Sequence, residues 1–180
     1  MTRRLVLLRH AKSAWPDLPD HERPLAKRGR RDAPAVGSWL REMGFMPDRV
    51  LCSTARRTRE TWRLLAPGLG ADPAAISYED QVYEAHGQTL VDLARQAEPT
   101  VSCLLIIGHN PGIQDLALLL ASTPDGSTDA GLLQRATTKF PTAAVAVLAF
   151  AGDWSRLGAG RARMISFVTP SDLRQPDQHP

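Results

Sequence analysis

The sequence predicts an α/β fold, a three-layer α/β/α domain on a mostly parallel central sheet. Two observations carry this expectation. Aliphatic runs at 5–8, 50–51, 103–107 and 143–150 are short and unbroken by polar residues, the pattern of strands buried on both faces of a sheet. Between them, apolar residues recur at helical spacing, so strand and helix alternate along the chain.

The first strand, Leu5 to Leu8, ends on Arg9 and His10. Val36, Leu40 and Met43 then share a helical face behind the basic run "KRGRR" at 27–31, which reads as a solvated helix start. Pro34 requires that helix either to begin near Arg31, leaving proline in the tolerant first turn, or to kink. After the strand at Val50–Leu51, the residues Ala55, Thr58, Trp62 and Leu65 form the next helical face, with Thr54 as its expected N-cap. A helix on Leu90, Leu93, Ala94 and Ala97 leads to the central strand Cys103–Ile107. Asn110 and Pro111 then read as N-cap and first residue of a helix carrying Ile113, Leu116, Ala117 and Leu120. Residues 123–131, "TPDGSTDAG", read as a polar loop, 143–150 as a strand, and Met164–Val168 as the last strand. One domain over 1–170 is expected, with 171–180 a flexible tail in which His179 is inert.

Composition removes several function classes. Among 180 residues, 43% are hydrophobic, enough for one sizeable core. The net charge of +3 comes from 22 scattered basic residues, and with aromatics at 6% there is no stacking platform for single strands, so nucleic acid is not an expected partner. A mild positive balance suits an anionic substrate instead. The two cysteines, Cys52 and Cys103, lie in or beside apolar runs and read as reduced core residues. The N-terminus lacks a signal peptide's apolar length and no run reaches membrane-spanning length, so a soluble, cytoplasmic protein without a membrane partner is expected. No glycine-rich nucleotide loop and no acidic cluster suited to magnesium occurs, so neither cofactor nor metal is expected.

Parallel sheets bind ligands beyond the carboxyl ends of their strands, which directs attention to the residues just after each strand. Arg9 and His10 come after the first, "CSTARRTRETW" surrounds the end of the second, and "GHNPG" with His109 comes after the central one. A neutral imidazole can attack phosphorus and divide one hard transfer into two easier ones, which makes His10 the candidate nucleophile. Phosphoryl transfer needs charge neutralised on the equatorial oxygens, a task suited to Arg9 and to Arg56 or Arg57. His109 is placed to donate to a phosphate oxygen, with Asn110 beside it as a further binding residue. An alkoxide leaving group needs an acid; Glu84 in "DQVYEAHG" is the candidate, with Glu79 and Asp80 nearby alternatives that spacing does not separate. Lys12, Ser13, Trp15 and Lys139 are candidates to line the mouth.

The ordered set "LLRHAKS", "PLAKRGRRDA", "LCSTARRTRETW", "VYEA" and "IIGHNPG" resembles the histidine phosphatase superfamily, with its phosphoglycerate mutase-like fold. The short chain and "RHAKS" are most similar to the small SixA-type phosphohistidine phosphatases. Recognisable motifs run from about residue 5 to 112. The resemblance implies that His10 is the phosphorylated nucleophile and Arg9 a phosphate ligand, with Ala11 where the family has glycine. The family's second arginine, counted from Ser53, falls on Arg57, with Thr58 where alanine is usual. The second histidine corresponds to His109 and the acid to Glu84. The implied activity is a metal-independent phosphatase working through phospho-His10 on a phosphohistidine protein. A phosphomonoesterase acting on a small metabolite or nucleotide is the alternative, and a non-catalytic phosphate-binding module a third reading. The chain is expected to act as a monomer.

Overall fold

Strand β1 (Thr2–Arg9) divides its side chains between two apolar cores: Leu5 and Leu7 enter one, Val6 and Leu8 the other. Strand β4 (Cys103–Gly108) does the same, with Leu104 and Ile106 on the first side and Leu105 and Ile107 on the second. This two-sided burial is why both runs are aliphatic without alternation. Each fully buried leucine or isoleucine contributes about 1.5–3 kcal/mol.

The computed structural model describes residues 1–70, 76–121 and 128–174. Between β1 and β4 come α1 (Lys27–Glu42), β2 (Arg49–Ser53), α2 (Arg56–Leu69), β3 (Ile76–Glu79) and α3 (Gly87–Arg95). After β4 come α4 (Gly112–Ala121), α5 (Ala130–Thr138), β5 (Val145–Ala151), β6 (Arg163–Val168) and α6 (Pro170–Leu173). The six strands lie in the order β3-β2-β4-β1-β5-β6. The first four are mutually parallel, while β5 runs antiparallel to both β1 and β6. Helices α1 and α2 pack on one face through Val36, Leu40, Trp62 and Leu65. On the other face, α3, α4 and α5 pack through Leu90, Ile113, Leu116 and Ala136. The three-layer α/β/α architecture is thus the observed one. None of the described helices is long and apolar enough to cross a membrane.

Local departures from the sequence reading have physical reasons. Helix α1 begins at Lys27 and runs unbroken through Pro34, so proline is well inside it and the start near Arg31 is not the one used. Strand β3 escapes hydrophobic patterning because it is a short, half-buried edge pairing only β2. Helix α5 begins within the expected polar loop; only Ala136 is buried, so its apolar signal is weak, and the Asp129 carboxylate caps it by accepting from the Leu132 amide at 3.0 Å. The rest of that loop, 122–127, lies outside the described residues, as does His179. Residues 171–174, read as the start of the tail, instead close α6: Thr169 and Asp172 form a reciprocal capping box, and Arg174 donates to the buried Asp32 at 2.8 Å. Both cysteines are buried and unpaired, and burial pushes their thiols up to about 12.

Candidate active site

Strand register brings the two histidines together. The parallel ladder pairs Arg9 with Gly108, so the next residues, His10 and His109, emerge abreast at the carboxyl ends of β1 and β4. The His10 amide donates to the Gly108 carbonyl at 3.0 Å, and the imidazole centroids stand 5.2 Å apart. On the other side of β4, Cys52 pairs with Ile107, which brings Ser53 level with Gly108 and its hydroxyl within 2.8 Å of His109 Nε2. Helix α2 starts almost at once after β2. Its first turn sends Arg57 inward, while Arg56 points out to an ion pair with Glu60 at 2.8 Å.

Hydrogen bonds fix the tautomer of each imidazole. His10 Nδ1 lies 2.8 Å from the Ala11 carbonyl, which can only accept, so Nδ1 carries the proton and Nε2 keeps its lone pair. Ala11, at the position of the family glycine, is fully buried, and its amide donates to Thr61 Oγ1 at 3.0 Å. His109 takes the opposite tautomer. Arg57 Nη2 meets Nδ1 at 3.2 Å and can only donate, so Nδ1 accepts and Nε2–H donates to Ser53 Oγ. Both ring nitrogens of His109 are therefore engaged in this structure, Nδ1 by Arg57 and Nε2 by Ser53.

The field of the site is cationic, but its histidines are neutral. Burial, reinforced by Arg57, pushes His109 down to about 3. Burial also holds His10 well below the ordinary histidine value, with His109, Arg57 and Arg9 adding to the effect against the opposing bond to Ala11. The positive charge comes from the guanidiniums of Arg9 and Arg57. Arg9 Nη1 donates to the Phe140 carbonyl at 2.9 Å, and the Nε atoms of both arginines are buried without a partner among the described residues.

Other expected residues take different places. Asn110 is not a helix cap: α4 starts at Gly112, and Asn110 Nδ2 donates to Gln114 Oε1 and the Phe140 carbonyl, each at 3.2 Å. Gln114 in turn donates to Ala136 and Thr137, so its oxygen must be the acceptor for Asn110. Asn110 thus braces the Phe140 carbonyl that also holds Arg9, while its Oδ1 is buried without a partner among the described residues. Thr54 is not the cap of α2 either; that position is Ala55, without a side-chain bond, and Thr54 Oγ1 donates to Asp80 at 2.7 Å. Ser13 is buried and accepts from Arg23, whose guanidinium lies 3.3 Å from the centroid of the exposed Trp15 ring. Lys12 and Lys139 are exposed.

Glu84 is exposed, has a left-handed backbone (φ 52°), and makes no hydrogen bond or ion pair among the described residues. Its neighbour Tyr83 packs edge-on against His109 with centroids 5.5 Å apart, which puts Glu84 at the rim. Gly112 allows this loop its close approach: a Cβ there would stand 2.0 Å from the Ala85 carbonyl oxygen.

Sequence reasoning missed Asp20, Ser53 as a partner of His109, and Tyr83. Asp20 lies in a short 3-10 turn (Asp20–Glu22). Arg57 donates to both its backbone carbonyl (2.7 Å) and its Oδ2 (3.0 Å), and the Tyr83 hydroxyl donates to the same Oδ2 at 2.8 Å. A loop carboxylate whose partner lies 37 residues away leaves no periodic signal.

Known proteins match this arrangement. A family model described as histidine phosphatase superfamily (branch 1) matches residues 5–100. An uncharacterized protein of Mycobacterium tuberculosis, Rv1276c, is 43% identical over 164 residues, covering 91% of this chain and 99% of its own length. Among solved structures, a protein of Nakamurella multipartitia assigned as the phosphohistidine phosphatase SixA is 30% identical with a TM-score of 0.84, covering 94% of this chain and 97% of that one. One from Agrobacterium tumefaciens, assigned likewise, is 30% identical with a TM-score of 0.74 over 93% and 98% of the two chains. With paired strand-end histidines, a buried arginine on α2 and a matching family model over more than half its length, the chain belongs to the histidine phosphatase superfamily.

Proposed function

We propose that the protein is a phosphatase that removes phosphoryl groups from phosphohistidine on a protein through a covalent phospho-His10 intermediate. The carrying observation is the bond from His10 Nδ1 to the Ala11 carbonyl, which leaves Nε2 as an unprotonated nucleophile beside two guanidiniums. In the first step Nε2 attacks phosphorus, the bond to the substrate imidazole nitrogen breaks, and that nitrogen takes a proton from water. In the second step water attacks phospho-His10, releasing inorganic phosphate and restoring the neutral imidazole. Arg9 and Arg57 neutralise the equatorial oxygens in both steps, and His109 keeps Arg57 aimed. Neither step requires a metal ion, because the arginines supply the charge.

The protein substrate is supported by the likeness to two structures assigned as SixA. A second reading, a phosphomonoesterase for small metabolites, is favoured by one observation: Glu84 at the rim is an unengaged carboxylate of the kind an alkoxide leaving group needs. The test is turnover of a phosphohistidine-bearing protein against an aryl phosphate in EDTA. Faster cleavage of phosphohistidine by at least about 100-fold in kcat/KM, roughly 2.7 kcal/mol of transition-state preference, supports the first reading. Preference for the ester supports the second.

A further inference from the structure

Asp20 is a half-exposed carboxylate that holds a deeply buried cation of the site. Its side chain is 46% exposed, against 7% for that of Arg57. Oδ2 receives Arg57 Nη2 and the Tyr83 hydroxyl, Oδ1 receives Arg23 Nη1 at 2.9 Å, and the backbone carbonyl receives Arg57 Nη1. Nη2 has two hydrogens, and Asp20 Oδ2 and His109 Nδ1 take both.

A guanidinium grips a phosphoryl group in two-pronged fashion either through Nη1 with Nη2 or through Nε with Nη2. Both faces share Nη2. Asp20 fills the end-on face, its backbone carbonyl on Nη1 and its Oδ2 on Nη2, so the Nη2 hydrogen on the Nε side is the one that meets His109. Of the two groups that occupy Nη2, His109 is 7% exposed and fixed on its far side by Ser53, whereas Asp20 is in contact with solvent.

Resting on the phosphatase reading, we propose that Asp20 is an internal competitor for the phosphoryl site: its carboxylate keeps Arg57 in place and yields Nη2 to the substrate. Asp20 thereby sets how strongly an anion must bind. A doubly charged phosphoryl group draws Arg57 more strongly than a single carboxylate does, while singly charged carboxylates gain nothing over Asp20 itself. Asp20 stays charged in this role: burial works against its charge, but the bonds from Tyr83, Arg23 and Arg57 outweigh it and hold the carboxyl well below the usual range.

The test is calorimetric binding of inorganic phosphate to the wild type, Asp20→Asn and Tyr83→Phe. Asp20→Asn keeps the shape and removes the competing charge, and is expected to bind phosphate roughly tenfold more tightly. Tyr83→Phe keeps the ring against His109 and removes one bond to Oδ2, so it is expected to tighten binding by a smaller factor, about twofold to threefold. It decides the matter if Asp20→Asn does not fold. A purely structural role for Asp20 predicts the opposite sign, weaker binding in both variants. Unchanged or weaker binding with the wild type still binding phosphate overturns this inference alone. No phosphate binding by any of the three overturns the phosphatase reading, and the inference with it.

Discussion

Lowering the pH from about 7.5 to about 5 is expected to destabilise the fold by roughly 2 kcal/mol through His109 alone, with His10 adding a loss of the same sign. In the unfolded chain each imidazole titrates near the ordinary value of 6.5, whereas in the folded protein burial holds His10 well below that and His109 at about 3. Folded values depressed in this way mean that stability is fully present above the unfolded value and is lost as the pH falls towards the folded one. At about pH 5 the unfolded chain holds almost one more proton at His109 than the folded protein does, which costs about 2 kcal/mol, and the depressed His10 adds to the loss. Each histidine is only 7% exposed, so solvent screening takes little from this figure. Marginal stability of about 5–15 kcal/mol makes a loss of this size easy to detect. The assay is urea unfolding between those pH values for the wild type, His10→Gln and His109→Gln; each variant should lose part of the pH dependence, His109→Gln about 2 kcal/mol of it. The window avoids the carboxylates of Asp20, Glu60 and Asp172: burial opposes their charge, yet bonds to cations, amides and hydroxyls hold them below the ordinary range, so their contribution is lost only at lower pH. A wild-type stability flat to within about 0.5 kcal/mol, or variants with the full slope, would refute the neutral buried pair.

Three further outcomes are expected. Arg57→Lys keeps the charge but loses the fork shared by Asp20 and His109, and should lower kcat/KM by roughly 100-fold in steady-state assays. Gly112→Ala forces a Cβ to within 2.0 Å of the Ala85 carbonyl oxygen and should cost about 2–3 kcal/mol in urea unfolding, together with a loss of turnover as the Tyr83–Glu84 loop is displaced. Glu84→Gln should reduce turnover of alkyl phosphates by at least about tenfold and leave phosphohistidine cleavage unchanged, since a labile P–N bond leans little on an acid; equal effects on both would remove Glu84 as the acid.

The parts of the site carried by strands were legible in the sequence, and the parts carried by loops were not. His10, Arg9 and His109 could be placed because an aliphatic run fixes a strand and a parallel sheet gathers strand ends at one edge. The strand and helix pattern left Arg56 and Arg57 open and only the family resemblance favoured Arg57; helix α2 turns Arg57 inward and Arg56 out to Glu60. Asp20 sits in "WPDLPDHERP", where nothing periodic marks which of several acids folds back on Arg57. The segment after helix α5 hid for a related reason: its contribution is a carbonyl, that of Phe140, delivered to Arg9 and Asn110, and backbone groups leave no residue signature. The His109 tautomer depends on which neighbour donates, a fact of geometry that residue type alone does not carry.

The covalent intermediate is the central claim, and rapid acid-free quenching during turnover, with peptide mapping of the phosphorylated residue, tests it most directly. Phosphate on His10, acid-labile and base-stable, absent from His10→Ala and present in His109→Gln, is the predicted result. Phosphate on His109, or turnover by His10→Ala at a wild-type rate, would contradict the account.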